Sequence, residues 1–314
     1  MRLGSRLAAA PISWGVCEVP GWGITLPPAR VLDEMASLGI GATELGPTGY
    51  LGDAAVDVAA LLGDRGLRLV GGFVPLVLHD ADQRAESRRI AMSSADVFAA
   101  AGATVFVTAA VVDQAWSPRR PLDDAEWRTL AEGLAMIDDI CAVKGLTQAL
   151  HPHVGTLVET ADDVERALEA SDVLWCLDTG HLTIGGVDPV AFASAHAERV
   201  AHVHLKDVRS VLAKDVRDGR LTLLEATRRG VFQPLGRGDV DIAGVVENLE
   251  RASYTGWYVL EQDTTLDAPP PPGAGPVTDV EASIAFLAAH VPMSPSGDTP
   301  VDADRTITRA ETRA

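Results

Sequence analysis

Four apolar runs in the second half of this chain end in side chains that can bind a cation or move a proton. LTQALH (146–151) ends in His151, with His153 two residues further on. VLWCLD (173–178) ends in Asp178, and His181 follows three residues later. VAHVHLK (200–206) carries His202, His204 and Lys206 at alternate positions, and GWYVLE (256–261) ends in Glu261. Residues two apart on a strand share a face. Pro152 has no N–H for a ladder and holds His151 extended, so a strand is expected to finish there with both imidazoles on one side. A carboxylate directly after an apolar run is costly without a partner, and a cation is the natural one. Imidazole and carboxylate together suit a divalent ion such as Mn2+, Zn2+ or Fe2+.

The remaining candidates divide by position. Lys206 shares the face of His204. His202 lies two residues deeper, where a structural hydrogen bond is the simpler role. His181 falls in a turn and suits substrate binding or proton transfer. Glu44 ends the second apolar run and either binds substrate or supports the ligands. Trp14, Glu18 and Trp22 follow the first run, where stacking on a polyol ring competes with simple packing. The glycines of LGRGDVD (235–241) offer either a phosphate cradle or a turn and helix cap.

These side chains need elements that bring them to one rim. Eight runs read as strands: 7–13, 41–45, 67–73, 103–109, 146–151, 173–178, 200–206 and 256–261. Helical segments alternate with them at 28–38, 53–64, 81–101, 123–144, 160–170, 188–197, 240–252 and 276–290. Gly39, Gly66, Gly102 and Gly145 sit just past helix ends, where a left-handed cap is wanted. Eight strand–helix alternations predict an α/β fold with a parallel sheet closed into a (β/α)8 TIM barrel, one domain over 1–291. Active-site groups of such barrels come from the C-terminal strand ends. The long excursion 207–239 is expected to add to the site, with a helix near DGRLTLLEATRRG. Residues 292–314 lack apolar periodicity and read as a disordered tail.

Composition narrows the partners. The chain has 314 residues, 47% of them apolar, and a net charge of −18 from 44 acidic and 26 basic side chains. That balance opposes nucleic acid and anionic membranes, both of which need a basic footprint. Cys17, Cys141 and Cys176 form no close pair, so a disulfide framework is not indicated and a cytoplasmic location is expected. No apolar run is long enough to cross a membrane.

The segments LDTGH, HVHLKD, FQPLGRGDVD and GWYVLEQD resemble those of the xylose isomerase-like TIM barrels, the sugar phosphate isomerase/epimerase superfamily. PISWGVCEVPGWG, ATELGPTGYLG, GGFVPLVLHD and HPHVGTLVET are similar to the inosose dehydratases within it. The resemblance spans about residues 7–290. It implies one divalent ion, Mn2+ or Co2+ foremost and Zn2+, Fe2+ or Mg2+ also compatible, with Asp178, His204 and Glu261 as ligands. His151 falls where the superfamily commonly has a glutamate. Either it ligates in that place or the site has three protein ligands. The implied reaction is dehydration of a cyclic polyhydroxy ketone such as 2-keto-myo-inositol through an enolate. Glu261, His151 and His153 are the candidate bases, and His181 or His153 the acid. Lys206 would add charge beside the enolate oxygen. Trp14, Glu18, Glu44, His153 and His181 are the expected substrate contacts. Two metal-bound glutamates commonly serve as paired bases in the superfamily's epimerases, so His151 weakens the alternative, a sugar or inosose isomerase/epimerase on the same metal. An abasic-site endonuclease is opposed by the charge, and a sugar-binding protein without chemistry would bind no metal. The partner expected is a small carbohydrate or cyclitol, with a homo-oligomer compatible.

Overall fold

A computed structural model describes residues 3–19, 21–52 and 54–291; the expected tail over 292–314 lies outside them. The elements run β1 (Leu7–Ala9), α1 (Pro28–Ser37), β2 (Ala42–Glu44), α2 (Ala55–Gly63), β3 (Arg68–Gly71), β4 (Phe73–Leu76), α3 (Arg84–Ala100), β5 (Val105–Ala110), α4 (Asp124–Val143) and β6 (Thr147–Leu150). They continue with α5 (Ala161–Ala170), β7 (Trp175–Asp178), α6 (Thr179–Gly185), α7 (Pro189–His196), β8 (Val200–Leu205), β9 (Asp207–Val208), α8 (Ser210–Arg217), α9 (Leu223–Arg228), β10 (Phe232–Gln233), α10 (Ile242–Arg251), β11 (Tyr258–Leu260) and α11 (Pro276–His290).

Nine parallel strand segments pair in the order β3-β2-β1-β11-β8-β7-β6-β5-β4. The two ends of that order are successive pieces of one stave, parted at Gly72. Thr104 N–H donates to Val70 O and Val107 N–H to Gly72 O, which joins the stave to β5 and closes the ring. A Cβ on Gly71 would lie 2.6 Å from Val105 O, and one on Gly72 would lie 2.7 Å from the Phe98 ring. Only glycine lets the backbone pass there. The predicted third strand, 67–73, is therefore two segments. The first is shorter than 7–13 because the chain turns into a 3-10 helix at Pro11–Trp14.

Alternation along each strand sorts the side chains. On β8, Val203 and Leu205 join the large core between barrel and helices, while His202 and His204 point inward. Small residues fill the barrel interior: Ala8, Ala10, Ala42, Val70 and Val259 in one cluster, Val105, Val107, Ala149 and Cys176 in another. Helix starts follow local chemistry. Asp123 with Glu126, and Thr160 with Asp163, form reciprocal capping boxes for α4 and α5.

The excursion after β8 is a small layer of its own. β9 and β10 pair antiparallel, and α8 and α9 stand between them in sequence; α8 lies N-terminal to the helix expected near 218–230. The loop LGRGDVD wraps the carboxylate of Asp207, which accepts N–H bonds from Gly236, Gly238 and Val240 at 2.8, 2.9 and 3.0 Å. Those amides are already spent, so the loop is a turn around an aspartate and not a phosphate cradle. Asp207→Ala removes the acceptor shared by three part-buried amides, and a hydrogen bond to a charged group is worth about 1.5–3 kcal/mol. Urea unfolding is expected to show a loss of about 3 kcal/mol or more.

Candidate metal centre and active site

Asp178 illustrates how local structure builds the site. Its Oδ1 caps α6, accepting from Gly180 N–H at 2.9 Å and His181 N–H at 2.8 Å. Its Oδ2 is thereby turned to the barrel axis, 3.2 Å from His151 Nε2 and 3.4 Å from Lys206 Nζ. Thr179 then pins the neighbouring strand end: its Oγ1 accepts from Lys206 N–H at 2.8 Å and donates to Lys206 O at 2.7 Å. A Cβ on Gly180 would sit 2.6 Å from Lys206 Cβ, so α6 can approach Lys206 only through glycine. His181 accordingly stands on the first turn of a helix, not in the open turn expected from sequence.

Donor atoms from three strand ends converge. Asp178, His204 and Glu261 each offer an atom within 4.8 Å of the others, and His151, Asp178 and His181 form a second such group. His204 Nδ1 lies 3.2 Å from Glu261 Oε2, 3.5 Å from Asp178 Oδ2 and 3.2 Å from His151 Nε2. Its other nitrogen, Nε2, lies 3.0 Å from Glu44 Oε1. Lys206 Nζ stands 2.9 Å from Glu261 Oε2, 2.9 Å from Asp263 Oδ1 and 2.9 Å from His181 Nε2. His151, Asp178, His181, His204 and Lys206 are nearly inaccessible to solvent, and Glu261 and Asp263 are buried.

Charge at this rim is divided sharply. Burial pushes Glu44, Asp178 and Glu261 towards protonation, but neighbouring cationic groups outweigh it. For Glu44 these are His204 and His202, and the carboxyl lies well below its usual range. Lys206 leads for Asp178, and His204 with Lys206 brings Glu261 to about 2. For Asp263 burial wins, raising it to about 6 against the pull of Lys206. Burial also opposes the charges of Lys206 and His204, yet the surrounding acidic groups hold both above their ordinary values. The other four imidazoles stay neutral at pH 7. Burial lowers His151, His181 and His202, and takes His153 to about 3 with help from nearby positive groups.

Negative charge thus exceeds positive in a desolvated pocket, which is the condition a divalent cation relieves. The donors are carboxylate oxygen and imidazole nitrogen, the set that suits Mn2+, Co2+, Zn2+ or Fe2+. Cys176 lies nearby, and burial raises its thiol to about 12. The residues present fit the ion: Asp178, His204 and Glu261 would hold it, with His151 Nε2 beside them. An ion there would replace the proton that His204 Nδ1 otherwise carries.

The family profile described as "Xylose isomerase-like TIM barrel" matches residues 32–290. The chain belongs to the xylose isomerase-like TIM barrel family. An inosose dehydratase of Geobacillus kaustophilus (strain HTA426) is 33% identical over 270 residues, 82% of this chain and 87% of that protein. The rhizopine catabolism protein MocC of Rhizobium meliloti is 33% identical over 267 residues, covering 82% and 81% of the two chains. Among solved structures, D-allulose 3-epimerase from Methylomonas sp. matches with a TM-score of 0.68 at 17% identity, over 92% of this chain and 97% of that one. The probable 3-DHS dehydratase AsbF from Bacillus anthracis matches with a TM-score of 0.68 at 16% identity, over 90% and 98%. The solved structures carry the fold alone. The inosose dehydratase relatives support an enzyme.

The structure gathers His151, His153, Asp178, His181, His204, Lys206, Glu261 and Glu44 on or just beneath one rim. His153 and His181 lie ring against ring at 3.8 Å between centroids. Trp14 departs from the expected substrate contacts: it is fully buried in the core, and its Nε1–H donates to Glu34 at 2.8 Å. Trp22 is likewise buried, with Nε1–H donating to Thr264 O at 2.8 Å. Glu18 is exposed on the loop after β1. Glu44 faces His202 and His204, beneath the donor atoms of Asp178 and Glu261. Asp263 escaped the sequence reading, although it follows Glu261 at the same two-residue step that linked His204 to Lys206. Phe232, from the excursion, lies 5.6 Å from Lys206 Nζ to ring centre, and no local signal marks it.

The neutral imidazoles set an acid limit on stability. A histidine held below its ordinary value of 6.5 is protonated first in the unfolded chain, so its contribution is present above 6.5 and is lost as pH falls. His151, His153, His181 and His202 act in that direction, each by up to about 1.4 kcal/mol per pH unit. Asp263, raised to about 6, opposes them below that pH. The melting temperature of chelator-treated protein is expected to fall from pH 6.5 to 4.5, and His153→Gln to flatten the slope. A temperature constant over that window would contradict neutral burial of these rings.

Proposed function

We propose that the protein is a divalent-metal-dependent hydro-lyase that removes water from a cyclic polyhydroxy ketone, 2-keto-myo-inositol or a close analogue. The observation that carries this reading is the meeting of Asp178, His204 and Glu261 at one buried point, directly beside the Lys206–His181–His153 chain of proton-handling groups. The inosose dehydratase relatives supply the substrate class. The reaction breaks the C–H bond next to the ketone and the C–O bond of the hydroxyl on the next carbon, forms a C=C bond, and releases water.

A bound divalent ion supplies Lewis acidity to the substrate's ketone oxygen, which acidifies the neighbouring C–H. The protein supplies the proton traffic. His153 Nδ1–H donates to Val154 O at 2.7 Å, which leaves Nε2 with a free lone pair as the base. Lys206 Nζ, held protonated among three carboxylates, stabilises the negative charge that grows on the ketone oxygen. It also donates to His181 Nε2 across 2.9 Å and keeps its own proton, while the proton that His153 takes from the C–H bond is passed to the departing hydroxyl through the neighbouring His181 ring, so the protein ends the turnover in its starting protonation state. With both nearby rings neutral, one can accept a proton while the other relays one. Burial excludes bulk water from this exchange.

The test supplies 2-keto-myo-inositol with Mn2+ or Co2+ and follows the conjugated dione product by ultraviolet absorbance. His204→Ala is expected to lose bound metal and turnover together. Lys206→Met should keep the metal and lower kcat by about 10²-fold or more, the usual loss when one charge-stabilising donor is removed. Epimerised or isomerised substrate in place of dione would overturn the dehydratase reading in favour of proton return on the same centre.

A further inference from the structure

Glu44 lies behind the metal donors. Its Oε1 is 2.7 Å from His202 Nε2 and 3.0 Å from His204 Nε2, and all three side chains are buried. A tetrahedral ion bound at about 2.1 Å keeps its ligand atoms about 3.4 Å apart. The 2.7 Å contact is too close for that and has the length of a charge-assisted hydrogen bond. The trio is therefore a hydrogen-bonded support and not a second ion site. Alternation along β2 aims it: Glu44 stands two residues after Ala42, whose side chain lies in the barrel interior, so both point inward.

We propose that Glu44 is a positioning residue for the metal centre, resting on the metal-dependent reading above: by accepting Nε2–H of His204 it fixes the tautomer that presents Nδ1 to Asp178 and Glu261. His202, also donating to Glu44, holds the carboxylate from the inner side and keeps it from turning towards the substrate. Glu44 touches neither the substrate nor the ion. A carboxylate behind a ligating histidine orients the ring and raises its basicity, and its loss typically costs about 10–100-fold in metal affinity.

The experiment measures Mn2+ binding to the metal-stripped, full-length protein by competition with a fluorescent chelator, for wild type and for Glu44→Gln. The amide keeps the size but loses the charge and one acceptor oxygen. Mn2+ affinity is expected to weaken about 10–100-fold, while the melting temperature of the metal-free variant stays close to wild type. An affinity within twofold of wild type would overturn the proposal, as would a lowered melting temperature with unchanged affinity, the mark of a merely structural role. Nitrogen NMR on the Zn2+-loaded wild type gives a check that needs no variant: His204 should carry its proton on Nε2, and a proton on Nδ1 would sink the assignment. Wild type that binds no divalent ion would remove the metal-dependent reading together with this one, whereas equal binding by both proteins removes only the role of Glu44.

Discussion

Electrostatic compensation in a desolvated rim governs this structure. Glu44, Asp178, Glu261 and Asp263 are buried within reach of one another, and an isolated ionised carboxylate cannot persist there. Lys206 and His204 offset part of the charge, and a divalent cation would offset more of it even as it displaces the His204 proton. The same balance explains why the other imidazoles stay neutral. Each further positive ring would cost its own desolvation and repel Lys206.

The fold meets this constraint with economical local devices. Asp178 divides its oxygens between a helix cap and the barrel axis, so that starting α6 and aiming a ligand are one event. Thr179 ties the end of β8 to the same turn, and Gly180 permits the close approach that places Lys206 among three carboxylates. Beyond β8, the loop around Asp207 consumes its own amides and carries Phe232 against Lys206. An outer clamp holds the next loop: Arg119 reaches Asp163 at 2.6 Å and Thr156 O at 3.2 Å, joining the loop after β5 to the one that carries His153.

Division of labour follows from charge. Ionised carboxylates and His204 suit cation binding, Lys206 suits stabilisation of developing negative charge, and the neutral His153–His181 pair suits proton movement. His151 is close to Asp178 and His204 but is an imidazole, and it cannot serve as the second of two carboxylate bases. That asymmetry fits one-way removal of a proton better than its removal and return on opposite faces.

Much was legible in the sequence because strand periodicity is local. The step of two along His202, His204 and Lys206, and the apolar runs ending at His151, Asp178 and Glu261, sufficed to place these residues on inward faces of a barrel. Strand–helix alternation sufficed for the eight staves. Tertiary structure alone decided which side of the site each group serves. Trp14 went to the core, where its indole finds Glu34, and Glu44 went beneath His204, whose Nε2 it meets across the barrel. His181 joined a helix because Asp178 caps it. The partners of Trp14 and Glu44 lie 20 and 160 residues away and leave no periodic trace in the residues themselves, whereas the cap that holds His181 is a local signal three residues upstream.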